Sequence, residues 1–118
     1  MEYIINQERF YHIVKQFIKR DLNKYISYDE VIYNRDISYT DPLIGKFVDI
    51  DNGRNIIAIL IDNDMEDRTN YAVVDTPYYL SIRKMFELPH YKTSDLIGEA
   101  CSEILGFKVN YSIEEKLN

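Results

Sequence analysis

The chain has few of the residues that build common catalytic or metal centres. Its 118 residues include one cysteine, two histidines and no tryptophan. A single cysteine cannot form an intramolecular disulfide, which agrees with a reducing compartment. Zinc is excluded because its sites need several clustered sulfur or nitrogen ligands. The sequence therefore implies no cofactor.

Glycine and long apolar runs are also scarce. The four glycines are scattered, so they form no phosphate-binding loop. The longest apolar run, residues 56–61, is too short to cross a bilayer. The first residues lack the basic region of a secretory signal. We expect a protein of the cytoplasm, with no membrane partner and no small-molecule substrate.

The charge of the chain is acidic and unevenly distributed. The net charge of −6 argues against direct nucleic-acid binding, which needs a basic surface. Residues 1–24 nevertheless hold five Lys or Arg against three Asp or Glu, whereas the remainder holds nine against seventeen. This asymmetry could orient the protein on a charged partner, or it could reflect two solvated faces.

Hydrophobic periodicity predicts one α+β domain over residues 1–118. A first amphipathic helix is capped by Asn6 and carries an apolar stripe from Phe10 to Tyr25. Asn52-Gly53 predicts a two-residue type I′ hairpin turn that places Asp51 opposite Arg54. The run 56–61 lacks alternation, which favours a central strand buried on both faces.

The second half of the chain predicts a third strand, two helices and a last strand. Residues 71–74 form the strand, and Thr76-Pro77 favours a short helix, although a strand over 78–86 is the alternative. The last helix is predicted to begin near Ser94 and to end at Gly106. Residues 107–113 then alternate as a strand. The predicted order is α-β-β-β-α-α-β, an antiparallel-rich sheet of about four strands with helices on one face.

Nucleophilic catalysis has little support. Cys101 falls on the apolar side of the last predicted helix and should be a buried, inert thiol. His12 lies on a polar helix face and His90 in a loop, and nothing in the sequence brings either to Cys101. The sequence predicts no catalytic residue and a protein that is not an enzyme.

A run of acids between the second and third strands is a possible metal site. Clustered oxygen ligands could hold calcium or magnesium, although an acidic surface turn is the commoner outcome. The weak metal candidates are Asp62, Asp64, Glu66 and Asp67.

Residues 26–45 form the least regular stretch and carry several tyrosines. Tyrosine gives a large rigid contact area with a polar tip, and long loops in small domains often bind partners. The predicted partner-binding residues are Tyr28, Tyr33 and Tyr39 of this loop, with Lys15, Lys19 and Arg20 on the first helix.

Two short patterns resemble known proteins. The opening residues 3–7 with the helix through Tyr25, and residues 104–109, are similar to segments of small proteins encoded by tailed phages with AT-rich genomes. The resemblance implies a viral origin and carries no catalytic residue with it.

These observations predict a non-enzymatic structural or protein-interaction module. With the viral origin that the resemblance implies, the expectation is a phage virion component that binds copies of itself or another virion protein. Its expected location is the cytoplasm of the infected host cell, with incorporation in the virion as a further step. The alternative is a small acidic inhibitor of a host nucleic-acid-binding enzyme.

Overall fold

The chain folds as an α+β protein in the predicted order. The computed structural model describes residues 6–25, 43–49, 51–62 and 69–118. In these residues the helices are α1 (Gln7–Leu22), α2 (Thr76–Phe86) and α3 (His90–Leu105), with a short 3₁₀ turn at Asn23–Tyr25. The strands are β1 (Leu43–Asp49), β2 (Arg54–Asp62), β3 (Thr69–Asp75) and β4 (Tyr111–Glu115).

The four strands form one mixed sheet in the order β1-β2-β3-β4. β1, β2 and β3 are antiparallel neighbours, whereas β4 returns parallel to β3. A parallel return needs a long crossover, which α2 and α3 provide. β2 is buried from Asn55 to Leu60, which confirms the prediction of a central strand.

The sheet has two unlike faces. Ile57, Ile59, Ala72 and Val74 pack with buried residues of all three helices in the main core. The opposite side, here called the second face, has a smaller cluster. Its buried members come from the strands and the C-terminal segment: Leu43, Ala58, Leu60, Val73 and Leu117.

α1 follows its predicted cap and most of its predicted stripe. The Asn6 side chain accepts a hydrogen bond from the Glu8 amide at 2.9 Å, and Val14, Ile18 and Leu22 are completely buried. Ile13 was expected on the same stripe, but it is half exposed. The helix rotates Ile13 towards solvent because its immediate neighbour Val14 occupies the centre of the buried face.

The hairpin between β1 and β2 differs from the prediction. Asp49, not Asp51, pairs with Arg54, so the connection has four residues instead of two. Gly53 has a positive φ of 69° but Asn52 does not, which excludes a type I′ turn. The Asn52 side chain instead accepts a hydrogen bond from the Arg54 amide at 2.9 Å. Asparagine thus closes this turn through its side chain.

Residues 76–86 form a helix, which resolves the helix-or-strand alternative. Asp75 is the N-cap, and Thr76 and Pro77 are the first two residues of the helix. Glu87 ends the helix in the left-handed conformation, and the Leu88 amide donates to the Arg83 carbonyl at 3.0 Å. This is the expected pattern of a helix C-terminus.

The next two boundaries are also displaced. α3 begins at His90, one turn before Ser94, and the buried Thr93 donates its hydroxyl to the Pro89 carbonyl at 2.9 Å. Gly106 ends α3 with a φ of 79°, as predicted. β4 begins at Tyr111 instead of residue 107, because the Ser102 hydroxyl accepts from the Val109 amide at 2.8 Å and holds that residue beside α3.

The C-terminal residues close against the start of β2. The buried Asp75 carboxylate accepts from the Leu117 amide at 2.9 Å. The Asn118 side chain accepts from the Asn55 amide and donates to its carbonyl, both at 2.9 Å. An amide side chain with this pair of bonds acts like one residue of a neighbouring strand. These bonds fix the segment that follows β4.

Candidate interaction surface at the edge of the sheet

The predicted contact residues of the tyrosine-rich stretch, Tyr28, Tyr33 and Tyr39, lie outside the described residues. The contribution of this stretch to binding stays a prediction.

Two of the three predicted basic contacts bind within the molecule. Lys15 and Lys19 lie 3.1 Å and 3.6 Å from the two carboxylate oxygens of Glu103 on α3. Burial acts to raise the pKa of Glu103, but the hydrogen bonds and charges of the two lysines outweigh it and lower that pKa. Arg20 is exposed, and no carboxylate of the described residues lies within 4.0 Å of it. The lysines therefore join α1 to α3, and Arg20 is the more accessible cation.

The cysteine and the histidines are kept apart. Cys101 is completely buried, and burial raises the pKa of its thiol to about 12. His90 begins α3, and Cys101 lies 11 positions later, which corresponds to about 16 Å along the helix. The Tyr79 hydroxyl donates to the His90 carbonyl at 2.7 Å and lies 2.5 Å from Nδ1 of the His90 ring. His12 is exposed on α1. His90 therefore joins α2 to α3.

Of the acids proposed as metal ligands, only Asp62 is described. It ends β2, and its carboxylate accepts a hydrogen bond from the Tyr111 hydroxyl at 3.4 Å. Asp64, Glu66 and Asp67 lie outside the described residues. Within the described parts of the chain, no three His, Cys, Asp or Glu side chains are grouped as metal ligands would be.

The most accessible apolar side chains of the sheet lie on β4. Tyr111 and Ile113 are each 40% exposed, although they pair in register with Tyr71 and with the buried Val73 of β3. The Tyr111 and Tyr71 rings stack with centroids 5.2 Å apart and planes within 4°. Because paired residues of parallel strands share a face, Tyr111 and Ile113 extend the second face outwards. We call these two side chains and the outer backbone edge of β4 the β4 surface.

A polar cleft of about 460 Å³ lies beside the β4 surface. Its walls are α3 and the segment from Lys108 to Tyr111, and Lys15 also lines it. The Ser112 hydroxyl donates to the Ser94 carbonyl of α3 at 2.5 Å, which fixes the helix over β4. On the exposed side of α3, Asp95 and Glu99 lie one helical turn apart and line the cleft. The cleft thus lies between the acidic face of α3 and the β4 edge of the sheet.

Sequence reasoning missed this arrangement. It predicted an alternating strand over residues 107–113 and did not identify which side faces the helices. In the structure Ser112 and Glu114 face the helices and are half buried, whereas Tyr111 and Ile113 are exposed. Along β4 the pair Tyr111 and Ile113 alternates with the pair Ser112 and Glu114, so alternation alone does not identify which pair faces the core. The available signal was the spacing of Asp95, Glu99 and Glu103 at four-residue intervals, which marks one acidic face on α3.

Comparison with known proteins finds no matching family model, no similar curated protein and no similar solved structure. The structure itself defines the class, an α+β protein with a mostly antiparallel four-stranded sheet. None of the helices in the described residues is both long enough and apolar enough to span a membrane.

Proposed function

We propose that this protein is a non-enzymatic module that binds another polypeptide through the β4 surface. The observation that carries the proposal is the exposure of Tyr111 and Ile113 at 40% each, beside Val73, which is 2% exposed on the same face. Exposed aromatic and aliphatic side chains that continue a buried apolar face are typical of protein contacts. The neighbouring C-terminal segment is fixed by its bonds to Asp75 and Asn55, so the surface is organised before binding.

The proposed partner is another copy of the chain or another virion protein, in a tailed-phage particle or in the infected cell. The sequence resemblance supports this setting. The exposed Arg20 and the tyrosines at 28, 33 and 39 stay proposed partner contacts.

The test starts with light scattering of the untagged protein after size-exclusion chromatography, over a range of concentrations. If the partner is another copy, Ile113→Ser should shift the oligomer towards monomer. Leu80→Ser is the matched control, because Leu80 is an aliphatic residue 48% exposed on α2, away from β4. The control should leave the oligomer unchanged.

A monomer at every concentration calls for a second measurement. A photo-crosslinking amino acid is placed at position 113 or at position 80, and the protein is expressed in its natural host. The proposal predicts a defined crosslinked product from position 113 and none from position 80. The proposal is contradicted if the protein forms no Ile113-dependent oligomer and also gives no crosslink from position 113.

The acidic-inhibitor alternative has one observation in its favour. Asp95 and Glu99 are exposed on one side of α3, and no described Lys, Arg or His lies within 4.0 Å of either carboxylate. An exposed acidic helix face can bind a basic enzyme surface, and such binding weakens steeply with salt. The prediction is loss of enzyme inhibition as salt rises from about 50 to about 500 mM. Salt-independent inhibition would oppose this mechanism.

A further inference from the structure

The two edges of the sheet differ in their regularity. β1 pairs with β2 through two register shifts, between Leu43 and Gly45 and between Phe47 and Val48. Shifts of this kind twist an edge and make it a poor template for another strand. β4 pairs with β3 over five consecutive residues without a shift. β4 is therefore the flatter edge.

The outer side of β4 offers backbone groups to a partner. β4 is the last strand of the sheet, and no described strand pairs with its outer side. In an edge strand, every second residue directs its N–H and C=O away from the sheet. An added extended segment would bond to these groups and place alternate side chains on the two faces.

The charge beside this edge selects the chemistry of the added segment. Asp95 and Glu99 of α3 are exposed on the helix side, and Glu115 is exposed on β4 itself. Lys15 does not offset them, because its ammonium already lies 3.1 Å from Glu103. The exposed Lys108, which lines the cleft, and the exposed Lys116, which follows β4, offset these acids only in part. A segment with lysine or arginine towards α3 and apolar residues towards Ile113 would complement both sides of the edge.

The same charges disfavour a second copy at this edge. Symmetric pairing of two β4 strands would place Asp95 and Glu99 of both copies close together at the interface. The net charge of −6 on each chain adds to this repulsion.

We propose that the β4 edge binds an extended, basic segment of a different protein as a fifth strand of the sheet. The segment alternates basic side chains, which face Asp95 and Glu99, with apolar side chains, which lie on Ile113. This inference rests on the proposed function and narrows its partner from any polypeptide to a basic strand.

The probe is a synthetic eleven-residue peptide of alternating lysine and valine, measured by isothermal titration calorimetry against the full chain. Asp95→Lys and Glu99→Lys are each expected to weaken binding by about tenfold. Asp51→Lys is the matched control, because this exposed acid lies in the β1–β2 turn, away from β4. It is expected to change affinity by less than about twofold. Circular dichroism verifies that each variant is folded.

Two N-methylated forms of the peptide separate strand addition from simple charge attraction. In one form the amides of the odd-numbered residues are methylated, and in the other form the amides of the even-numbered residues are methylated. Backbone pairing predicts that one form binds like the parent and the other loses binding, because only one set of amides faces β4. Equal binding by both forms overturns strand addition, and so does equal loss.

The dependence of peptide binding, crosslinking and oligomer formation on Ile113 distinguishes this inference from the proposed function. If the peptide fails to bind while Ile113-dependent crosslinking to a natural partner persists, the basic-strand inference is wrong and the proposed function stands. If the peptide fails and the protein instead forms Ile113-dependent oligomers, a second copy replaces the basic strand. If neither binding nor crosslinking depends on Ile113, both proposals fail.

Discussion

The two faces of the sheet are built from neighbouring residues of the same strands, yet they end differently at β4. On the helix side, the buried residues Ile57, Ile59 and Val74 of β2 and β3 are followed on β4 by Ser112 and Glu114, which are half buried. On the second face, Leu60 and Val73 lead to the exposed Tyr111 and Ile113. Apolar residues are therefore placed where the fold buries them only in part. This difference separates a face whose apolar side chains are buried by the helices from an edge whose apolar side chains remain exposed.

The largest expected effect comes from the helix-side face. Ile59→Ala removes a completely buried side chain that packs with the three helices, and it should lower the free energy of unfolding by about 2–5 kcal/mol. Urea denaturation followed by circular dichroism measures the change. Ile13→Ala, at a position 49% exposed on α1, is the control and should cost less than about 1 kcal/mol. Equal losses at both positions would mean that the main core is not where the structure places it.

The stability of the second face depends on a buried polar contact of Asp75 as well as on apolar packing. Asp75 is 1% exposed, and its two carboxylate oxygens accept from the Leu117 amide at 2.9 Å and from Arg54 Nε at 3.4 Å. Asp75→Ala leaves the Leu117 amide without this acceptor and should cost about 3 kcal/mol.

Hydrogen exchange gives a second readout of the same variant. The amides of Leu117 and Asn55 should lose protection together, because the C-terminal residues hold both. Arg54→Ala is the control and should have a smaller effect, since the Arg54 side chain is 45% exposed. Unchanged protection of both amides in Asp75→Ala would remove the carboxylate from this role.

Local sequence predicts most of the buried elements of the fold, but it does not predict the exposed edge of the sheet at β4. The unbroken apolar run of β2 predicted a strand buried on both faces, and the positions of Val14, Ile18 and Leu22 predicted the buried side of α1. The pairing of Asp49 with Arg54 depends on a side-chain bond of Asn52, and the late start of β4 depends on the bond between Ser102 and the Val109 amide. Such bonds compete with ideal turns and strands and are not set by periodicity.

The candidate site was less predictable than the fold. Tyr111 and Ile113 alternate as core residues do, and their exposure arises because β4 is the last strand in a parallel pair with β3. That position depends on the whole crossover through α2 and α3, which no local pattern encodes. The roles of Lys15 and Lys19 likewise depend on the approach of α3 to α1.

At the β4 surface, stability and binding should respond differently to one substitution. Ile113→Ala should lower the free energy of unfolding by less than about 1 kcal/mol, because the side chain is already 40% exposed. The same variant should weaken binding of the lysine–valine peptide by about fivefold, since it removes apolar contact area. A loss of stability as large as that of Ile59→Ala would show that Ile113 belongs to the core and not to an interaction surface.

The smallest effect is expected on the outer side of the helices, where Glu103 joins α3 to Lys15 and Lys19. Glu103→Gln should cost about 0.5 kcal/mol at pH 7, because the side chain is 42% exposed and water screens the pair. The pKa of Glu103 is lower in the folded chain than its ordinary 4.5. Its stabilisation is therefore complete above the unfolded pKa and is lost as the pH falls through the folded pKa.

Urea titrations of both proteins between pH 7 and about pH 3 test this sign, because the difference between them should shrink on the acid side. Glu99→Gln is the matched control, since Glu99 lies one turn earlier on α3 and no described cation is within 4.0 Å of its carboxylate. Its effect on stability should be smaller at pH 7 and should not follow the same acid loss. A Glu103→Gln difference that grows towards low pH would mean that the lysines do not stabilise the carboxylate. Lys15 and Lys19 would then return to the set of side chains available for a partner.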